Sequence, residues 1–209
     1  MGFDFSEVIT TEAQFRGVIG SPNHRVLRKQ VAALDDHCRA FIAKSPFLLI
    51  SSCDGKGNLD VSPKGDPPGF ARVLDDETLA IPDRPGNRRA DTFCNLLANP
   101  NVGLLFLVPG KQETLRINGT ALIVRDQWVR EPMGVAGKLP EFALIVKVKE
   151  VFFHCAKCVI RSKLWESSSW PDLKGLPSLA QAMVDQGRLE ESLEEMEALI
   201  EKSNRERLY

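Results

Sequence analysis

No stretch of this chain approaches the ~20 consecutive apolar residues that a membrane-spanning helix needs. The amino-terminal MGFDFSEVITTEAQF carries acids where a signal peptide would carry bases followed by an apolar run. A soluble protein, cytoplasmic in location, is therefore the expectation. Net charge is equally scarce. Lys and Arg number 27 against 28 Asp and Glu, a net charge of -1, so no overall basic field gathers nucleic acid and partners must be read locally. The GxSxG elbow, HExxH and the GxxxxGK[ST] phosphate loop are all missing, which leaves hydrolase and nucleotidase chemistry without residues to perform it. Histidine is sparse too: His24, His37 and His154 are widely spaced and each is expected to be structural.

Cysteine is present but unorganised. Cys38, Cys53, Cys94, Cys155 and Cys158 form an odd set among apolar residues, which suits reduced thiols in a reducing compartment better than a disulfide framework. Cys155 and Cys158 make a lone CxxC after His154. A zinc site would need a fourth ligand at sensible spacing, and a redox pair a thioredoxin-like setting, and neither is offered. No metal is expected, and both thiols read as buried packing residues.

What is present is a globular chain with 43% hydrophobic residues, long enough to bury a core of its own. Leu27, Val31, Leu34, Cys38 and Phe41 recur at steps of four and three, predicting one helix that begins near Ser21-Pro22. Phe47 to Ser52 and Leu59 to Pro63 flank the turn DGKGN as a hairpin. Gly69 to Leu74, Thr78 to Pro82, Asn101 to Val108, the alternating segment from Thr114, and Phe142 to Phe153 read as further strands. About six strands with helices mainly at the ends predict a mainly-β fold, a closed antiparallel barrel with flanking helices. The expected organisation is an N-terminal helical segment over 1–45, a barrel domain over 46–165, and a C-terminal loop and helical tail over 166–209, with Gly187 breaking the tail into two helices. The glutamates of that tail read as a solvated face.

The chemistry concentrates after Pro82, where Asp83-Arg84-Pro85-Gly86-Asn87-Arg88-Arg89 leads into a predicted helix with Asn87 as its N-cap. Arginines at a helix N-terminus oppose the macrodipole, a local conflict that an incoming anion would resolve. A phosphate there would meet backbone N–H groups and guanidinium forks. The competing reading is that the arginines pair with Asp83 and Asp91 on the surface.

Four segments, NLDVSPKGDPPGF, LAIPDRPGNRRADTFCNLLANPNVGLLFLVPG, ETLRINGTA and HCAKCVIRSKLW, occur in this order. Together they resemble the FMN-binding split-barrel proteins related to pyridoxamine 5'-phosphate oxidase, in a branch of flavin-nucleotide-binding proteins, across Phe47 to Trp165. The resemblance implies a six-stranded antiparallel split barrel, a homodimer with two FMN sites at its interface, and non-covalent FMN. By position, it places Ser62, Pro63 and Lys64 beside the isoalloxazine, and Ile81, Pro82, Asp83 and Arg84 along the ribityl chain and near the phosphate. Asn87 and Arg88, with Arg89, would clamp the phosphate. Thr114 and Arg116 would face the flavin ring. Lys163 and Trp165, with Arg161 as a third, would reach the cofactor across the dimer, although Trp165 reads equally as an interface anchor.

The segment with which the oxidases hold their substrate phosphate has no match here, so that activity is not expected. The leading expectation is an FMN-dependent oxidoreductase acting on a small-molecule redox substrate. The alternatives are a non-catalytic flavin carrier, buffer or redox sensor, and a haem-binding or haem-degrading barrel, with His154 as the axial ligand to test.

Overall fold

The computed structural model describes residues 2–209. Its first helix, α1 (Glu12–Ile19), opens on a capping box between Thr11 and Gln14 but buries no side chain. The apolar stripe expected on one helix is divided between α2 (His24–Arg28) and α3 (Asp36–Lys44). Two sets of hydrogen bonds make the break. Val31 exchanges backbone bonds with Val151 at 3.0 and 2.8 Å, and Asp35 starts α3 afresh by accepting from Cys38 N at 2.9 Å. Leu34, Cys38 and Phe41 are buried as their spacing suggests, whereas Leu27 and Val31 stay exposed.

The strands are β1 (Phe47–Cys53), β2 (Leu59–Gly65), β3 (Arg72–Asp75), β4 (Thr78–Pro82), β5 (Asn101–Leu107), β6 (Thr114–Val124) and β7 (Ala143–His154). Helix α4 (Asp91–Ala98) separates β4 from β5, and the short α5 (Gln127–Arg130) follows β6. Every segment read as a strand from its residue pattern forms one. Together they make a single antiparallel sheet in the order β2-β1-β5-β6-β7-β4-β3. The closed six-stranded barrel is thus replaced by an open seven-stranded sheet, with β2 and β3 as its edges. The third strand begins at Arg72 rather than Gly69, because Gly69 sits at φ 81° and donates its N–H to Ser45.

The longest ladder joins β6 and β7, from Thr114 opposite His154 to Val124 opposite Ala143, with a bulge between Asn118 and Gly119. Alternation puts Leu115 and Ile117 on the inner face beside Leu48, Ile50, Leu104 and Phe106, all at most 1% exposed. Ile42 of α3 and Leu96 of α4 close over the same core. Burying each such side chain contributes roughly 1.5–3 kcal/mol, so the two helices are held where they flank the sheet.

After β7 come α6 (Lys157–Ser162), α7 (Leu179–Gly187) and α8 (Leu193–Glu206). The break expected at Gly187 is where α7 ends, and Ser192 with Glu195 starts α8 through a capping box. Among the described residues no helix is long and apolar enough to cross a membrane.

Candidate functional site

Edge strand β2, the exit of β4, the start of α4 and the C-terminal segment enclose a cleft of about 1020 Å³, at the upper end of the size range of small-molecule sites. Ser62, Lys64, Asp83, Arg84, Asn87, Arg88 and Arg89 all line it. Three of the expected neighbours do not. Ile81 and Pro82 are buried within β4, and Pro63 lies on the exposed face of β2, opposite Ser62 and Lys64.

The entrance to α4 differs from its expected form. Asn87 is not the N-cap; its side chain accepts from Arg89 N at 3.0 Å within the loop. The N-cap is Ala90, in the left-handed region at φ 55°, and no side chain caps the helix. Arg88 is also left-handed, at φ 63°. Two non-glycine residues in this conformation cost about 1–2 kcal/mol each, a concentration of strain of the kind that functional loops carry. The uncapped first turn leaves backbone N–H groups directed out of the helix end.

The three arginines of the loop have different duties. Arg84 is engaged in structure, donating through Nε to Asp66 and through a terminal nitrogen to Met133 O at 2.8 Å. Arg89 pairs with Asp91 at 2.8 Å on an exposed surface, an interaction worth little. Arg88 forms no ion pair or side-chain hydrogen bond among the described residues. Ser62 is occupied as well: it donates to Asp60 at 2.9 Å and lies 3.2 Å from the Thr92 hydroxyl, pinning α4 to β2. Lys64 and Arg88 are left as the cations with which this end of the cleft can meet an anion.

Burial pushes the Asp83 carboxyl above its ordinary range, against the opposing pull of Lys64 and Arg84. A carboxyl raised in the folded state contributes its full stability below the unfolded pKa and loses it as pH rises through the folded one. At neutral pH ionised Asp83 is therefore a net cost. Asp83→Asn is expected to raise the melting temperature at pH 7, with the gain vanishing below about pH 4. An ionised Asp83 in the lining repels an incoming phosphate, so phosphate-bearing ligands should bind the variant more tightly. Melting curves at pH 7 and pH 3.5 and a ligand titration check both signs.

Sequence reasoning missed the apolar wall. Phe93 and Phe142 meet edge to face at 5.9 Å, and Ile123 and Leu97 join them in the lining. Their spacing from α4, β6 and the entry to β7 carries no local signature. It also missed Arg207 and Tyr209, which reach the cleft from the far end of the chain.

Four of the expected residues lie elsewhere. Thr114 and Arg116 start β6 on the face it shares with Pro63, since Arg116 lies in register with Leu105, Leu49 and Pro63, whereas Ser62 and Lys64 in the cleft face the other side with Ile117 and Leu115. Thr114 is buried opposite His154. Arg116 pairs with Glu150 and lies over the Phe152 ring, 4.0 Å from its centroid, while its Nε is buried without a partner. Trp165 donates from Nε1 to Lys111 O at 2.8 Å, and Lys163, left-handed at φ 51°, ends α6. None of the four lines the cleft.

All five cysteines are free. Cys38 is buried, its thiol pushed up to about 12 by burial and Asp35, but Cys155 and Cys158 are exposed rather than buried as expected. No cluster of three potential metal ligands occurs among the described residues. His154 packs on Phe152, 4.8 Å between ring centroids, and burial with nearby Arg116 and Lys29 lowers its pKa.

No curated protein matches the chain. Among solved structures it is similar to HupZ of Group A Streptococcus, at 19% identity and TM-score 0.48 over 57% of this chain and 92% of that one. It is similar to an FMN-binding protein of Syntrophomonas wolfei, at 13% identity and TM-score 0.46 over 68% and 93% of the two chains. A third similarity is to HutZ, the heme storage protein of Vibrio cholerae, at 19% identity and TM-score 0.43 over 57% and 93%. A family profile matches over residues 34–155, more than half of the chain and all seven strands, and on it the protein belongs to the pyridoxamine 5'-phosphate oxidase family.

Proposed function

We propose that the chain is an FMN-binding oxidoreductase acting on a small redox substrate, working as a homodimer. The observation that carries the reading is the strained loop at the start of α4, where left-handed Arg88 and Ala90 set an unpaired guanidinium beside an uncapped helix end. A cleft with that cationic end and an apolar wall of Phe93, Phe142 and Ile123 fits a flat heterocycle carrying a phosphate. Bound there, FMN would supply hydride and electron transfer.

The chain's own residues would bind and orient. Arg88 and the first-turn N–H groups of α4 would hold the phosphate. The aromatic pair would exclude water from the ring, and Lys64 would set positive charge beside it to favour a reduced, anionic flavin. The reading includes a partner subunit that brings the Thr114, Arg116, Lys163 and Trp165 end of its sheet to this cleft. Their absence from the lining of the cleft within one chain supports that arrangement, as does the buried, unpartnered Nε of Arg116.

Turnover decides between enzyme and carrier. With FMN loaded, the enzyme reading expects steady oxidation of a reduced nicotinamide or another donor over many equivalents of protein. Tight FMN binding with no donor accepted would instead make the protein a flavin carrier or sensor.

A further inference from the structure

The C-terminal segment lies across the cleft, with Glu206, Arg207 and Tyr209 all in its lining. Three contacts hold Tyr209. Its hydroxyl donates to Asp66 Oδ1 at 2.8 Å. Its ring packs against the Arg84 guanidinium, 5.6 Å from Cζ to centroid. Its backbone oxygen accepts from Lys138 Nζ at 2.7 Å. The docking point is rigid: the Asp66 side chain is only 1% exposed and its other oxygen accepts from Arg84 Nε. Tyr209 therefore fastens to a buried ion pair rather than to mobile surface groups.

The same arrangement keeps the phenol a donor, because the bond to Asp66 and that carboxylate's charge, with some burial, raise its pKa against the smaller opposing effect of Arg84. Upstream, Met196 near the start of α8 is buried, at 6% exposed, and two residues, Arg207 and Leu208, link the end of that helix to Tyr209, so the link is held by the helix at one end and by the Tyr209 contacts at the other. Between the tethers Arg207 faces the cleft with no ion-pair partner among the described residues.

We propose that the segment after α8 is a latched wall of the ligand site, fastened by Tyr209 to the Asp66–Arg84 pair and presenting Arg207 to the bound ligand, so that ligand enters or leaves when the latch lifts. The inference rests on the FMN reading only in its choice of probe.

The test compares wild type, Tyr209→Phe and Tyr209→Ala by hydrogen exchange of the last turn of α8 and the residues after it, and by stopped-flow FMN association and dissociation. Losing one charge-assisted hydrogen bond favours opening roughly tenfold. Protection should fall by about that factor in Tyr209→Phe and further in Tyr209→Ala. Both FMN rates should rise in the same order, with a smaller change in Kd. Unchanged protection overturns the latch. Lost protection with unchanged FMN rates overturns its place on the ligand's path. Failure of every form, wild type included, to bind FMN sinks the FMN reading instead, and the exchange result then decides the latch on its own.

Discussion

Replacing Arg88 with alanine is expected to weaken FMN binding by about 1.5–3 kcal/mol, the worth of a charge-assisted hydrogen bond, or roughly 10- to 150-fold in Kd. The fold should stay intact, because the Arg88 side chain makes no bond that folding depends on, unlike Arg84, which is tied to Asp66 and Met133. Riboflavin, which lacks the phosphate, provides the internal control: its affinity should be the same for variant and wild type. Arg88→Gly sharpens the argument. It removes the same guanidinium but relieves a backbone held at φ 63°, so it should raise stability by about 1 kcal/mol while losing FMN. Titration with both flavins and a urea melt separate the effects. Equal FMN affinities for Arg88→Ala and wild type would remove Arg88 from the site.

The largest expected effect on stability lies at Gly119. A Cβ there would stand 2.0 Å from Lys147 O and 3.0 Å from Lys147 C. Those atoms are backbone of the neighbouring strand and cannot rotate away as a side-chain tip would. Gly119 sits at the bulge of the β6–β7 ladder, where the extra residue on β7 brings Lys147 close. Gly119→Ala must therefore either break the bulge or part the two longest strands. A loss of about 3 kcal/mol or more is expected, a large share of the 5–15 kcal/mol typical of a domain. Gly17→Ala is the contrasting case: nothing lies within 4 Å of its added Cβ, and α1 should hold or gain slightly. Urea midpoints of the two variants check the pair, and an unchanged midpoint for Gly119→Ala would contradict the packing described.

The strands were legible because their information is local. Leu115, Ile117, Ala121 and the polar residues between them alternate with the period of the pleat, and DGKGN and Pro109-Gly110 are turn chemistry wherever they occur. The break between α2 and α3 was not, since it depends on Val151 reaching back to Val31 from another part of the chain. The loop before α4 was half legible. Its arginines announce an anion, but the left-handed backbone at Arg88 and Ala90 leaves no mark in residue type, so Asn87 read as a cap it does not provide. The C-terminal wall was invisible, because Tyr209 and Asp66 meet across 143 positions. The residues expected at the flavin ring lie in neighbouring rows of the sheet but divide between its two faces, Ser62 and Lys64 with Ile117 and Leu115, Arg116 with Pro63, a register set by strand pairings far apart in sequence.

The central claim is that this chain holds FMN through the loop at α4, and the visible absorption spectrum of the freshly purified protein tests it most directly, followed by denaturation and identification of any chromophore released. A flavin spectrum and released FMN, at about one per chain, are the expected result. A colourless protein that also fails to bind added FMN would contradict it, as would a Soret band in place of the flavin bands.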